Sequence, residues 1–113
     1  MPKVLAFDVY GTLIDTQGVV TSLSGFVGDK AGDFSRIWRD KQLEYSFRRG
    51  LMRQYANFAS CTQDALEYTD ACYKTGLSTE EKQALLETYR ALPAFADVHR
   101  GLKQLQDHGV HLY

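Results

Sequence analysis

The chain's 113 residues suffice for one small domain with a modest core. Thirteen Lys and Arg against fourteen Asp and Glu leave a formal net charge of −1, which predicts no electrostatic hold on nucleic acid or on an anionic membrane. A hydrophobic fraction of 44% with seven Tyr and six Phe excludes a disordered chain, and no apolar run approaches the roughly 18 residues a bilayer span needs.

Val4 to Val9 is a continuous apolar, β-favouring run, which predicts a strand buried on both faces, as in parallel sheets. Asp8 sits near its end, just before Gly11-Thr12. A carboxylate there is costly unless backbone N–H groups or a cation stabilise it, and the Gly-Thr turn is expected to supply such groups. The pattern suits a carboxylate nucleophile at the mouth of an open α/β sheet. On these residues alone, an aspartate that only caps a turn remains the alternative.

Residues 12–32 read as a loop plus a short helix. Asp33 is expected to cap a long helix reaching about Arg49, with Gly50 able to disturb it. On a helical wheel Phe34, Ile37, Trp38 and Tyr45 form one stripe. Leu43 and Phe47 form a second stripe nearly opposite, with Arg39 beside them, so the helix is predicted to be covered on two sides. Either the second side faces a site, or both sides are packing faces and Arg39 is incidental. Arg48, Arg49 and Arg53 read as unpaired, solvated charges.

Thr62 to Thr75 predicts a further helix with Leu66, Thr69 and Tyr73 on one face and Gly76 as its stop. Ser78-Thr79-Glu80-Glu81 is a capping box opening a helix with Leu85, Leu86 and Tyr89, ended by Pro93. A last helix starts near Asp97 and stops at Gly109, and Val110–Tyr113 begins a second strand. Cys61 and Cys72 lie in the helical stretch with no metal-like spacing, which predicts reduced, mostly buried thiols. The opening Met1-Pro2-Lys3-Val4 has no signal-peptide character, so a soluble cytoplasmic protein is expected.

The order is strand, long helical excursion, helix, strand start. This reads as an α/β fold with a first core strand and nucleophile loop over 1–15, a helical subdomain inserted over 16–92, and a return to the core over 93–113. One strand and the start of another do not bury their own faces, so the chain is expected to be incomplete.

At Phe7-Asp8-Val9-Tyr10-Gly11-Thr12-Leu13 the chain resembles the haloacid dehalogenase superfamily, whose first motif is an Asp-x-x-Gly-Thr strand end. Trp38-Arg39-Asp40-Lys41-Gln42-Leu43-Glu44-Tyr45, then Leu51-Met52 and Tyr55-x-x-Phe58, narrow the likeness to its 2-haloacid dehalogenase family, along essentially the whole chain. The resemblance implies a Rossmann-like core carrying an inserted α-helical cap. It also implies that the chain is an N-terminal portion, because the later Ser, Lys and Ser-x-Asn-x-x-Asp motifs do not occur in it. The isolated chain is therefore expected to show no appreciable turnover.

The resemblance further implies that Asp8 attacks C2 of a small 2-haloalkanoate, that halide leaves, and that water hydrolyses the aspartyl ester to a 2-hydroxy acid. Thr12 then orients the nucleophile, Val9 and Tyr10 line the substrate, Arg39 receives the halide, and Leu43 and Phe58 enclose the alkyl group. Asp40 departs from relatives that carry Gln there, and an anion at that place would oppose Arg39.

Chemistry supports two of these roles. Superfamily phosphatases need an acid two residues after the nucleophile, both for the leaving alkoxide and for Mg²⁺, and this chain has Tyr10, a phenol with an ordinary pKa near 10. Halide leaves without a proton. A departing anion in an apolar pocket needs a fixed cation, and Arg39 is placed to be one. No metal and no cofactor are expected. The implied partners are the 2-haloacid, the halide and, from the family, a second copy in a homodimer. A catalytically silent remnant and a superfamily phosphatase are the competing readings.

Overall fold

The computed structural model describes residues 2–113. Its elements are strand β1 (Val4–Leu5), helices α1 (Val19–Val27), α2 (Ala31–Leu51), α3 (Phe58–Tyr73), α4 (Thr79–Arg90) and α5 (Val98–Asp107), and strand β2 (His111–Leu112). The chain is mostly helical, with one two-stranded parallel sheet among the described residues. None of these helices is long and apolar enough to cross a membrane. The residues divide into two compact units, one running up to Gly18 and resuming over Ala91–Tyr113, the other spanning Val19–Arg90.

In the first unit β1 and β2 pair in parallel register, Val4 opposite His111 and Leu5 opposite Leu112. Backbone bonds extend this ladder through Phe7 N–H to the Tyr113 carbonyl at 2.8 Å and Tyr113 N–H to the Leu5 carbonyl at 2.9 Å. The strand expected over Val4–Val9 is shorter than its sequence pattern, and it is not buried. Val4 is 58% exposed, because a two-stranded ribbon leaves both its faces uncovered. The turn after β1 is joined to the returning chain by Asp15 N–H to the Pro93 carbonyl and Phe95 N–H to the Leu13 carbonyl. Gly18 belongs to this join, since a Cβ there would lie 3.1 Å from Pro93 Cδ. The return helix α5 ends as expected at Gly109, whose positive φ of 78° suits glycine.

The second unit is a helical cluster built on α2 and α3. Phe34 and Trp38 from α2, Leu66 and Thr69 from α3, Leu23 from α1 and Leu85 from α4 are fully buried. Trp38 stands edge-on to Phe34 and packs against Tyr89 with ring centroids 5.1 Å apart. The stripe expected on α2 is thus the core face. The opposite side is not covered as expected: Leu43 is half-buried and Phe47 is 67% exposed.

Several boundaries differ from the pattern. Helix α2 starts at Ala31, directly after a 3-10 turn over Gly28–Lys30, so Asp33 lies inside its first turn and caps nothing. It runs through Gly50 to Leu51, with surface ion pairs from Arg48 to Glu44 and from Arg49 to Asp64 on that stretch. These two arginines are therefore paired, not solitary. Helix α3 starts four residues before the expected Thr62, because Asn57 caps it by accepting the Ser60 N–H at 2.8 Å. It closes on Lys74 in the left-handed conformation, φ 52°, ahead of Gly76. Cys61 is buried on α3, but Cys72 is exposed. The capping box of α4 forms in full, with Ser78 and Glu81 exchanging side-chain bonds to each other's backbone N–H at 3.1 Å.

Candidate active site

The nucleophile loop follows from its hydrogen bonds. Gly11 takes φ 88°, which lets the chain fold back so that the Val9 carbonyl accepts from the N–H groups of Thr12, Leu13 and Ile14. Gly11 N–H is spent on the Ile14 carbonyl at 2.8 Å. The Gly11 and Thr12 backbone N–H groups expected to serve Asp8 are therefore used to close the turn. The group that meets the carboxylate is the Thr12 hydroxyl, donating to Asp8 Oδ2 at 2.9 Å. Asp8 is exposed, not buried at a strand end. Val9 is 47% exposed, and Tyr10 is half-buried, bridged to Ile14 through its backbone.

The other expected residues belong to the helical unit. Arg39 and Leu43 lie one turn apart on α2, so they share a face, and both are half-buried. Phe58 is the first residue of α3 and is half-buried, while Asp40 is exposed. The structure thus brings Asp8 and Thr12 into contact in one unit, and gathers Arg39, Leu43 and Phe58 on α2 and α3 in the other.

A buried polar network supports Arg39, and it was not anticipated. Arg39 Nη1 donates to Gln42 Oε1 at 2.7 Å, and Tyr89 Oη donates to the same oxygen at 2.9 Å. Gln42 Nε2 donates to Thr62 Oγ1 at 2.7 Å, and that hydroxyl donates to the Phe58 carbonyl at 2.7 Å. Trp38 Nε1 donates to the Thr62 carbonyl at 2.9 Å. Gln42 has no solvent exposure. The signal in the sequence was a polar residue four positions after Trp38, on the apolar stripe, where an unpartnered amide would be costly.

Nearby charges are organised along α2. Lys41 pairs with Glu44 at 2.7 Å and lies 4.5 Å from the centre of the Tyr68 ring. The hydrogen bond from Lys41 holds the Glu44 carboxyl below its ordinary range and the same bond raises Lys41. Among the described residues, no group of three or more His, Cys, Asp or Glu side chains is placed to hold a metal ion.

No protein-family model matches the chain. Individual relatives do. An (S)-2-haloacid dehalogenase of Pseudomonas sp. strain YL is 36% identical over 110 residues, covering 97% of this chain and 47% of that protein. Haloacetate dehalogenase H-2 of Moraxella sp. strain B is 40% identical over 97% of this chain and 49% of its own length. Among solved structures, an L-2-haloacid dehalogenase matches with a TM-score of 0.92 at 32% identity, covering 99% of this chain and 51% of that one. The L-2-haloacid dehalogenase of Xanthobacter autotrophicus, with chloropropionic acid covalently bound, matches at 0.88 and 31% identity, over 99% and 45%. The chain spans about half the length of the curated relatives it matches. Over nearly its whole length, the chain is similar to 2-haloacid dehalogenases.

Proposed function

We propose that the protein hydrolyses small (S)-2-haloalkanoates to 2-hydroxy acids through an ester on Asp8. The observation that carries this reading is the match, along nearly the whole chain, to a dehalogenase holding covalently bound chloropropionic acid. Thr12 holds Asp8 Oδ2 and so presents Oδ1 to the substrate. Attack of Oδ1 on C2 forms the C–O bond as the carbon–halogen bond breaks, and the halide leaves with that electron pair, inverting the centre. Water then attacks the ester carbonyl, returning the Asp8 carboxylate and releasing the 2-hydroxy acid. Arg39 receives the halide, Val9 and Tyr10 line the substrate, and Leu43 and Phe58 form the apolar pocket around its alkyl group.

In this reading Val19–Arg90 is the inserted cap, β1, β2 and α5 belong to a Rossmann-like core, and the protein is a cytoplasmic homodimer. No proton donor is needed for the halide, which accords with Tyr10 standing two residues after the nucleophile. The test is chloride release from (S)-2-chloropropionate by the full-length gene product. Release that survives EDTA and disappears in Asp8→Ala supports the assignment. Release of phosphate from p-nitrophenyl phosphate with Mg²⁺, in place of chloride release, contradicts it.

A further inference from the structure

Gln42 is the most completely enclosed polar side chain of α2, and the chemistry of its neighbours fixes its orientation. The Thr62 hydroxyl has one proton and gives it to the Phe58 carbonyl, so toward Gln42 it acts as an acceptor and Nε2 must face it. Oε1 then faces Arg39 and Tyr89, as it must, because a guanidinium only donates. Trp38 holds the same turn of α3 through the Thr62 carbonyl. Side chains from α2, α3 and α4 thereby converge on one amide whose outer partner is Arg39.

We infer that Gln42 is a positioning residue, a neutral clamp that fixes the Arg39 guanidinium for an incoming anion without adding negative charge. The inference rests on the reading of Arg39 as the group that receives the halide. A carboxylate of the same shape would hold Arg39 by stronger, charge-assisted bonds but would cancel the charge the anion needs. An amide oxygen directs the guanidinium and adds no negative charge of its own. Gln42→Glu therefore separates the two functions: the Thr62 hydroxyl turns from the Phe58 carbonyl to donate to the new carboxylate, so orientation is kept while anion affinity is lost. Gln42→Met, of similar shape and apolar, gives up the orientation.

The experiment is a sodium bromide titration of the 113-residue chain, followed by NMR at the Arg39 guanidinium N–H signals. In the wild type these signals are resolved by restricted rotation and shift on adding bromide. In Gln42→Met they average, and bromide binds about tenfold more weakly, the factor set by loss of one hydrogen bond to a charged group. In Gln42→Glu they stay resolved while bromide affinity falls by about tenfold or more. Thr62→Val, which frees Nε2, moves both readouts in the direction of Gln42→Met and carries the test should Gln42→Met fail to fold. Unchanged Arg39 signals in Gln42→Met and Thr62→Val overturn the clamp. Wild-type bromide affinity in Gln42→Glu overturns the charge argument. Absence of any bromide response in the wild type, with the signals still averaging in Gln42→Met, contradicts the anion role of Arg39 and supports the clamp.

Discussion

Asp70 ties the end of α3 to the start of α4, and its removal is expected to destabilise the helical unit. Its Oδ1 accepts from Thr75 Oγ1 at 2.6 Å and from Leu77 N–H at 3.0 Å, and its Oδ2 pairs with Lys82 at 3.1 Å. Burial alone would push its carboxyl up, but bonds from Thr75, Leu77 and Lys82 outweigh this and hold it below the ordinary carboxylate range. Asp70→Ala strands the Leu77 N–H in a residue only 8% exposed. A hydrogen bond to a charged acceptor contributes about 1.5–3 kcal/mol, and water reaching the half-open Thr75 recovers part of the loss, so roughly 2–4 kcal/mol should go. Against a whole-domain stability of about 5–15 kcal/mol this is a large fraction. Urea unfolding followed by Trp38, the chain's only tryptophan and buried in the same unit, measures it. Asp70→Asn keeps the shape and loses the charge, so it should fall between.

The pH dependence has a defined sign. A carboxyl whose folded pKa is depressed contributes stability above its unfolded pKa and loses it as pH falls through the folded value. The gap between wild type and Asp70→Asn should therefore be full at neutral pH and shrink in acid. A loss below about 0.5 kcal/mol in Asp70→Ala, within the range of ordinary surface substitutions, would refute the reasoning. So would a gap that widens on acidification.

Asn57→Ala removes the cap of α3 and should cost about 1 kcal/mol in the same urea assay. Trp38→Phe loses the bond to the Thr62 carbonyl and opens space in the core, which predicts a loss of about 2–4 kcal/mol, read by circular dichroism because the fluorophore is gone. Thr12→Val should leave stability nearly unchanged, since Thr12 is exposed, yet lower the dehalogenation kcat of the full-length gene product by about tenfold through a misdirected Asp8. Unchanged kcat in that variant would remove Thr12 from the nucleophile's support.

What sequence reveals here depends on how far apart the interacting residues lie. The capping box at Ser78, the stop at Gly109 and the Phe34–Trp38 stripe are local patterns, and each forms. The Asn57 cap was also local, but Ala59-Ser60-Cys61 carries no apolar period to announce a helix. The strand over Val4–Val9 failed for a different reason: a strand's length and burial belong to its partners, and β2 meets only part of it. Gln42 illustrates the limit most clearly. Besides the nearby Arg39, its partners Thr62 and Tyr89 are 20 and 47 residues away, so its immediate sequence does not account for a fully satisfied buried amide. At Asp8-x-x-Gly11-Thr12 the Thr12 hydroxyl bond forms as the resemblance implied, whereas the backbone N–H groups of Gly11 and Thr12, which look available in the sequence, are needed to close the turn.

In the proposed reaction Asp8 becomes esterified. Brief incubation of the full-length gene product with excess (S)-2-chloropropionate, acid quench, proteolysis and mass spectrometry should find a 1-carboxyethyl ester on the peptide carrying Asp8, and none in Asp8→Ala. Chloride released with the Asp8 peptide unmodified throughout, or an ester on another carboxylate, would contradict the account.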